Sequence, residues 1–412
     1  MNKEFLSNYA KVIVEIGINL QEGEEVFINS PIVCADLARE IAEYALSKGA
    51  SRINYAYSDP KMEKLRLLGE QKDSVLTFPE WQVAQKDYIP EHKCAYVCIL
   101  AEDPDVFAEV EPQLLAERSK IMHEKFKKFY DDSMGNGFKW CLAAYSFPEW
   151  AQKVFPELPE AEAVEKLWNY IAITMRMDKG DAVANWKAHQ KNIVSICDYL
   201  NEMQFECFKY KNSLGTDLTV GMPENYHFTG AKEISSDGVE FTANMPTEEC
   251  FSAPHKDKVD GKVYSTKPLA ENGRIIEDFW IRFEKGRAVD FGAKKGYDAL
   301  KEIIETDEGS HYLGEIALVG YSTPISQLKT VFYNTLFDEN ASCHFALGRA
   351  YSTCVVGGEK MNAEEKAKAG INSSLEHCDF MVGSKDMSIV GVKNGKEYPI
   401  FVDGDFVEEV VR

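Results

Sequence analysis

Apolar residues recur at three- and four-residue spacing over 3–18, 35–47, 160–176 and 182–203 and near 106–130, and these stretches predict helices. Val26-Phe27-Ile28-Asn29, Cys94–Leu100 and Trp140–Tyr145 are short apolar runs that read as buried strands, and Arg52–Tyr57 alternates as another. Strands separated by helical crossovers imply a largely parallel sheet covered on both faces. Past residue 205 the pattern changes to short alternating segments broken by Gly, Asn and Asp: Phe205–Lys211, Asp217–Gly221, Gly261–Ser265, Phe279–Phe283 and Ala288–Phe291. Antiparallel pairing through tight turns at Glu271-Asn272-Gly273 and Glu284-Lys285-Gly286 is the simplest account. The expected architecture is an α/β N-terminal domain over 1–190 and an α+β C-terminal domain rich in antiparallel strands over 191–412, with the boundary near 180–205.

A length of 412 residues suits two or three domains, at roughly 100–200 residues each. A 45% hydrophobic share with 27% charged residues excludes wholesale disorder. The balance of 46 Lys and Arg against 67 Asp and Glu gives a net charge of −21, which repels polyphosphate and speaks against nucleic-acid binding. Met1–Leu6 carries an acid and no apolar h-region, so no signal peptide is expected there. No uncharged apolar run approaches the ~18–20 residues of a membrane span. Ten cysteines lie scattered without a C-x-x-C, several in apolar runs, which fits buried thiols and a cytoplasmic setting.

Several motifs are set aside. Gly135-Asn136-Gly137 lacks a third glycine and precedes a strand, so it reads as a turn and not as a dinucleotide loop. Gly320-Tyr321-Ser322-Thr323-Pro324 ends in Pro where a nucleophile elbow needs Gly, and no P-loop or H-E-x-x-H occurs. The sequons at Asn340 and Asn372 carry no weight without a secretory signal.

What remains is a constellation of acids and histidines in the second half. His377 and Asp379 enter an apolar strand two residues apart and so share a face, as a ligand pair or as a solvent-facing polar pair. Glu315 sits inside Gly314-Glu315-Ile316-Ala317-Leu318-Val319, where an unpaired carboxylate is costly; a partner cation, a metal or a strand end must account for it. Residues 337–351 gather Glu339, His344 and Tyr351. Glu248 and Glu249 follow Pro246-Thr247, a pattern that also reads as a helix N-cap with first-turn carboxylates. Glu249, Glu315, Glu339 and Asp379 with two imidazoles form a mixed O/N set suited to Zn, Co or Mn. Six ligands with one bridging carboxylate suffice for two ions ~3.5–4 Å apart.

Asn244–Pro254, Leu313–Val319, Asp338–Gly348 and His377–Gly383, in that order, resemble the thermophilic-type metallo-aminopeptidase family over essentially the whole chain. The resemblance implies a two-domain subunit, a two-metal site in the C-terminal domain, and a homodimer enclosing its active sites. It implies Glu249, Glu315, Glu339, His344, His377 and Asp379 as metal ligands and Tyr351 as the catalytic tyrosine, with Glu248, if not a ligand, as general base. Short peptides with a free N-terminus are the implied substrates. Arg349 is open between orienting a carboxylate and a structural salt bridge. Cys250, Cys343 and Cys378 adjoin ligands and read as packing residues, with thiolate ligation the competing reading. Two other classes stay open: a metal-dependent hydrolase of another small substrate, and a non-catalytic α/β binding protein.

Overall fold

The computed structural model describes residues 3–411 except 102, 104, 272 and 273. Two compact units emerge: residues 1–188 with 232–246, and residues 189–231 with 247–412.

The first unit is built on a five-stranded parallel sheet. Strands β1 (Glu25–Pro31), β2 (Arg52–Ser58), β3 (Ala95–Leu100), β4 (Trp140–Ala144) and β5 (Asn244–Met245) lie in the order β2-β1-β3-β4-β5. The buried runs Val26-Phe27-Ile28 and Ala95-Tyr96-Val97 pair in parallel, both faces of each strand covered, as their unbroken apolarity requires. The amphipathic helix Ala35–Ser47 turns Leu37, Ala38, Ile41 and Ala45 inward. The expected helix over 3–18 is α-helical to Val12 and ends in a π-helical turn, Ile13–Gly17. Glycine closes that turn because a Cβ on Gly17 would lie 2.6 Å from Cys141 Sγ of β4. The stretch near 106–130 resolves into Pro112–Lys125 and Lys127–Met134. Helices Pro60–Gly69 and Glu80–Glu91 add cover that their weak amphipathicity had hidden. Gly135-Asn136-Gly137 is a turn, with Asn136 left-handed at φ 53°. A single boundary near residue 190 leaves out the return of residues 232–246, whose β5 pairs with β4 (Leu142 opposite Asn244).

The second unit contains two antiparallel sheets. In the nine-stranded one, Cys207–Lys211, Asp217–Gly221, Val259–Tyr264, Arg274–Glu284 and Arg287–Lys295 pair in succession, Cys207–Lys211 with Asp217–Gly221 first. Lys285 (φ 47°) and Gly286 (φ 81°) form the expected tight turn; the turn at Asn272-Gly273 lies outside the described residues. The four-stranded sheet runs β6 (Cys250–Ser252), β7 (Leu313–Leu318), β8 (His344–Gly348), β9 (His377–Met381). Tyr210 against Phe345 (centroids 5.0 Å apart) and Phe279 against Phe380 (5.7 Å) join the two sheets in one apolar core.

Candidate metal centre

The four-stranded sheet alternates between two faces except at one point in β7. Ile316, Leu318, Phe345, Leu347, Cys378 and Phe380 point into the core. Register then places Glu315, Ala346 and Asp379 in one row of the opposite face, Ala317 and His344 in the next, and Gly348 beside His377. The alanines and the glycine leave space above the strands that larger side chains would fill. Glu249 precedes β6 on the same face as Phe251, which lies opposite Ala317.

One irregularity makes this face possible. Leu313 pairs with Leu347 and Glu315 with Ala346, so two residues of β7 oppose one step of β8. The bulge lets Leu313 enter the core while Glu315, two residues on, faces the other way. Gly314 sits at the bulge because a Cβ there would lie 2.3 Å from Arg349 O and 2.4 Å from Gly348 O.

Both imidazoles are oriented by main-chain carbonyls. His344 Nδ1 is 3.0 Å from Ser342 O and His377 Nδ1 is 2.8 Å from Arg349 O. A carbonyl only accepts, so each Nδ1 carries a proton and each ring turns its Nε2 away from the main chain. Both Nε2 atoms face carboxylates. His344 Nε2 lies 3.2 Å from Glu249 Oε2 and 3.3 Å from Glu315 Oε1; His377 Nε2 lies 3.7 Å from Glu315 Oε2 and 3.6 Å from Asp379 Oδ1. Nε2 beside a carboxylate needs a positive charge between them, a proton on the ring or a metal ion in its place. Donor atoms about 2.0–2.1 Å from one tetrahedral ion are about 3.4 Å from each other, which is the spacing observed. Asp379 Oδ1 is buried without a hydrogen-bond partner, a further sign that the donor set awaits a cation. Glu249, Glu315 and His344 form one grouping and Glu315, His377 and Asp379 a second, sharing Glu315.

Electrostatics record the same crowding. Burial raises the Glu315 carboxyl against the pull of His344. Burial and then the charges of Glu249 and Asp379 push Glu339 well above the carboxylate range. Burial opposes the charged form of His344, but Glu249 and Glu315 outweigh it and push the imidazole well above its usual range. In His377, Asp379 and Glu315 likewise overcome burial. Burial, followed by the charges of Glu315 and Asp379, raises Tyr351 and keeps its phenol protonated. The Tyr351 ring stands edge-on to His377, centroids 5.3 Å apart.

The structure thus brings together Glu249, Glu315, His344, His377 and Asp379. Glu339 stands outside both groupings, in the 3-10 turn Glu339–Ala341, close enough for its charge to couple to theirs. The helix N-cap reading of Glu248 and Glu249 is not what forms: no helix follows, and irregular residues 247–249 lead from a cis Met245-Pro246 bond into β6. Glu248 Oε2 is 3.8 Å from His189 Nε2, and its amide donates to Asn340 Oδ1 at 2.7 Å. Asn340 is fully buried and also donates to Leu336 O, which is incompatible with a glycan. Cys250, Cys343 and Cys378 lie on the core face, as alternation dictates, and none belongs to either grouping. Sequence reading missed Asn340, whose place among the acids of 338–339 was the available signal, and His189, which bonds Thr247 O at 2.7 Å and had no local signal.

The description "Thermophilic metalloprotease (M29)" matches residues 2–406 of the chain. Aminopeptidase AmpS of Bacillus subtilis (strain 168) is 40% identical over 402 residues, 97% of this chain and 98% of that protein. Aminopeptidase T of Thermus aquaticus is 34% identical over 405 residues, 98% of each. The structure of wild-type AmpT from Thermus thermophilus superposes with a TM-score of 0.92 at 34% identity, covering 98% of this chain and 99% of that one. A family description spanning nearly every residue, and relatives aligned end to end, put the chain in the thermophilic metalloprotease family M29.

Proposed function

We propose that the protein is a metal-dependent aminopeptidase that releases N-terminal residues from short peptides, using two divalent ions (Zn, Co or Mn) per subunit. The observation that carries the reading is Glu315: its two oxygens face two different imidazoles, so one carboxylate belongs to two donor groupings. Glu249 and His344 would complete one site and His377 and Asp379 the other, with Glu339 the sixth ligand. Bound ions there supply Lewis acidity toward the scissile carbonyl and bring water closer to ionisation at neutral pH.

The chain's own groups do the rest. The Glu248 carboxylate accepts the proton of the attacking water and returns it to the departing amine. Tyr351, held protonated, donates a hydrogen bond to the oxygen on which negative charge develops. Four ligand carboxylates balance the charge of two divalent ions, and a peptide's free α-amine would be recognised at that centre. A homodimer in the cytoplasm is the proposed working form. No helix among the described residues is long and apolar enough to cross a membrane.

The test is cleavage of a short peptide beside its N-acetylated twin, before and after chelation, with Co, Zn or Mn restored. Release of the first residue from the free peptide alone, lost with chelator and regained with metal, is expected. Metal-dependent cleavage of both peptides would discard amine recognition in favour of a broader hydrolase.

A further inference from the structure

Arg349 takes part in the metal centre through its main chain alone, the carbonyl accepting from His377 Nδ1. Arg349 also lines a separate cavity of about 440 Å³, together with Lys256, Lys366, Tyr312, Ser352 and Ser373. Arg349 Nε donates to Ser374 O at 3.0 Å. Among the described residues, no carboxylate comes within ion-pair distance of Arg349, Lys256 or Lys366, although the chain carries 67 acids to 46 bases. The acids nearby are engaged elsewhere. Glu308, on the cavity wall, pairs with Arg287 at 2.5 Å; Glu364 pairs with Lys368 at 3.1 Å; Glu365 accepts the Asn362 amide in a capping box. Lys256 Nζ instead lies 5.4 Å from the centroid of the Tyr312 ring.

Three cationic residues line one cavity whose acid, Glu308, is paired with Arg287, and an oxyanion bound there would balance their charge. Ser352 and Ser373 belong to the same lining. We propose that this cavity is an oxyanion subsite that takes a carboxylate. Two sources share the chemistry: the C-terminal carboxylate of a short peptide substrate, a reading that rests on the aminopeptidase proposal, and a free carboxylate bound in its own right. The first would explain a preference for short peptides, because the α-ammonium and the carboxylate would be read at two fixed places.

The experiment uses metal-loaded protein, as wild type, as the double variant Lys256→Gln/Lys366→Gln, and as Lys366→Gln alone, in case the double variant misfolds. One arm compares kcat/KM for a tripeptide and its C-terminal amide. The other reads the thermal midpoint with N-acetylglycine, which has the carboxylate but no free amine, against N-acetylglycinamide at equal ionic strength. A wild-type preference of about tenfold for the free acid, falling below about twofold in the variants with metal content intact, assigns the carboxylate to the substrate. Equal turnover of acid and amide, with a midpoint raised by N-acetylglycine only in the wild type, assigns it to a free ligand. Neither effect, or effects of equal size in the variants, overturns the site. Should the wild type cleave no peptide under any metal, the aminopeptidase reading fails by itself and the midpoint arm alone decides the subsite.

Discussion

Each strand of the four-stranded sheet contributes to two surfaces of opposite chemistry. On one, Ile316, Phe345, Leu347 and Phe380 join a core continuous with the nine-stranded sheet; on the other, Glu315, His344, His377 and Asp379 crowd charge onto neighbours of alanine and glycine size. The apolar surface stabilises by removing area from water, at about 25 cal/mol per Å². The polar surface costs free energy until a cation arrives, because buried like charges repel. The first surface therefore holds the second in place, and Glu315, His344, His377 and Asp379 inherit their precision from rigid strands whose other side is packed.

The contrast can be broken from either side. The largest effect is expected from Glu315→Gln, which removes the charge shared by both groupings. Metal affinity should fall by more than the ~10–100-fold that loss of an outer partner costs, and turnover should drop to background. Elemental analysis after dialysis, together with a peptide assay, checks both. Phe345→Ala, on the apolar side, should cost about 3–5 kcal/mol in denaturant unfolding, while protein that remains folded still binds metal. Metal loss at full stability would show that the two surfaces are not separable in this way. Tyr351→Phe should lower kcat by about 10²–10³-fold with metal content unchanged; metal loss would make the tyrosine structural. Gly314→Ala should cost about 1–3 kcal/mol, because its Cβ collides with two carbonyls, and should weaken metal binding by turning Glu315. Cys378→Ala should be mildest, about 1 kcal/mol in stability with metal stoichiometry intact. An altered stoichiometry would return the thiolate reading.

How much of this was legible from sequence follows the range of the interactions. His377 and Asp379 were placed by period 2 alone, and the parallel and antiparallel grammar of the two halves by local patterning. The facing of Glu315 was not, because strict alternation puts it on the same side as Leu313, and only a bulge opposite β8 separates them. Glu249 was identified by motif, yet its local pattern suggested a helix cap; pairing of β6 with β7, more than 60 residues away, decides otherwise. The return of 232–246 to the first sheet depends on β4, a hundred residues earlier, and local periodicity carries no trace of such a partner.

That return sets an order of assembly during synthesis. When residue 188 has left the ribosome, β4 is the open edge of a four-stranded parallel sheet, a surface able to pair with other chains. Its covering strand is made only after residues 189–231, which belong to the other unit, have been translated. A gene truncated after residue 188 would therefore yield a fragment with its edge exposed, whereas a fusion carrying residues 232–246 supplies the missing strand.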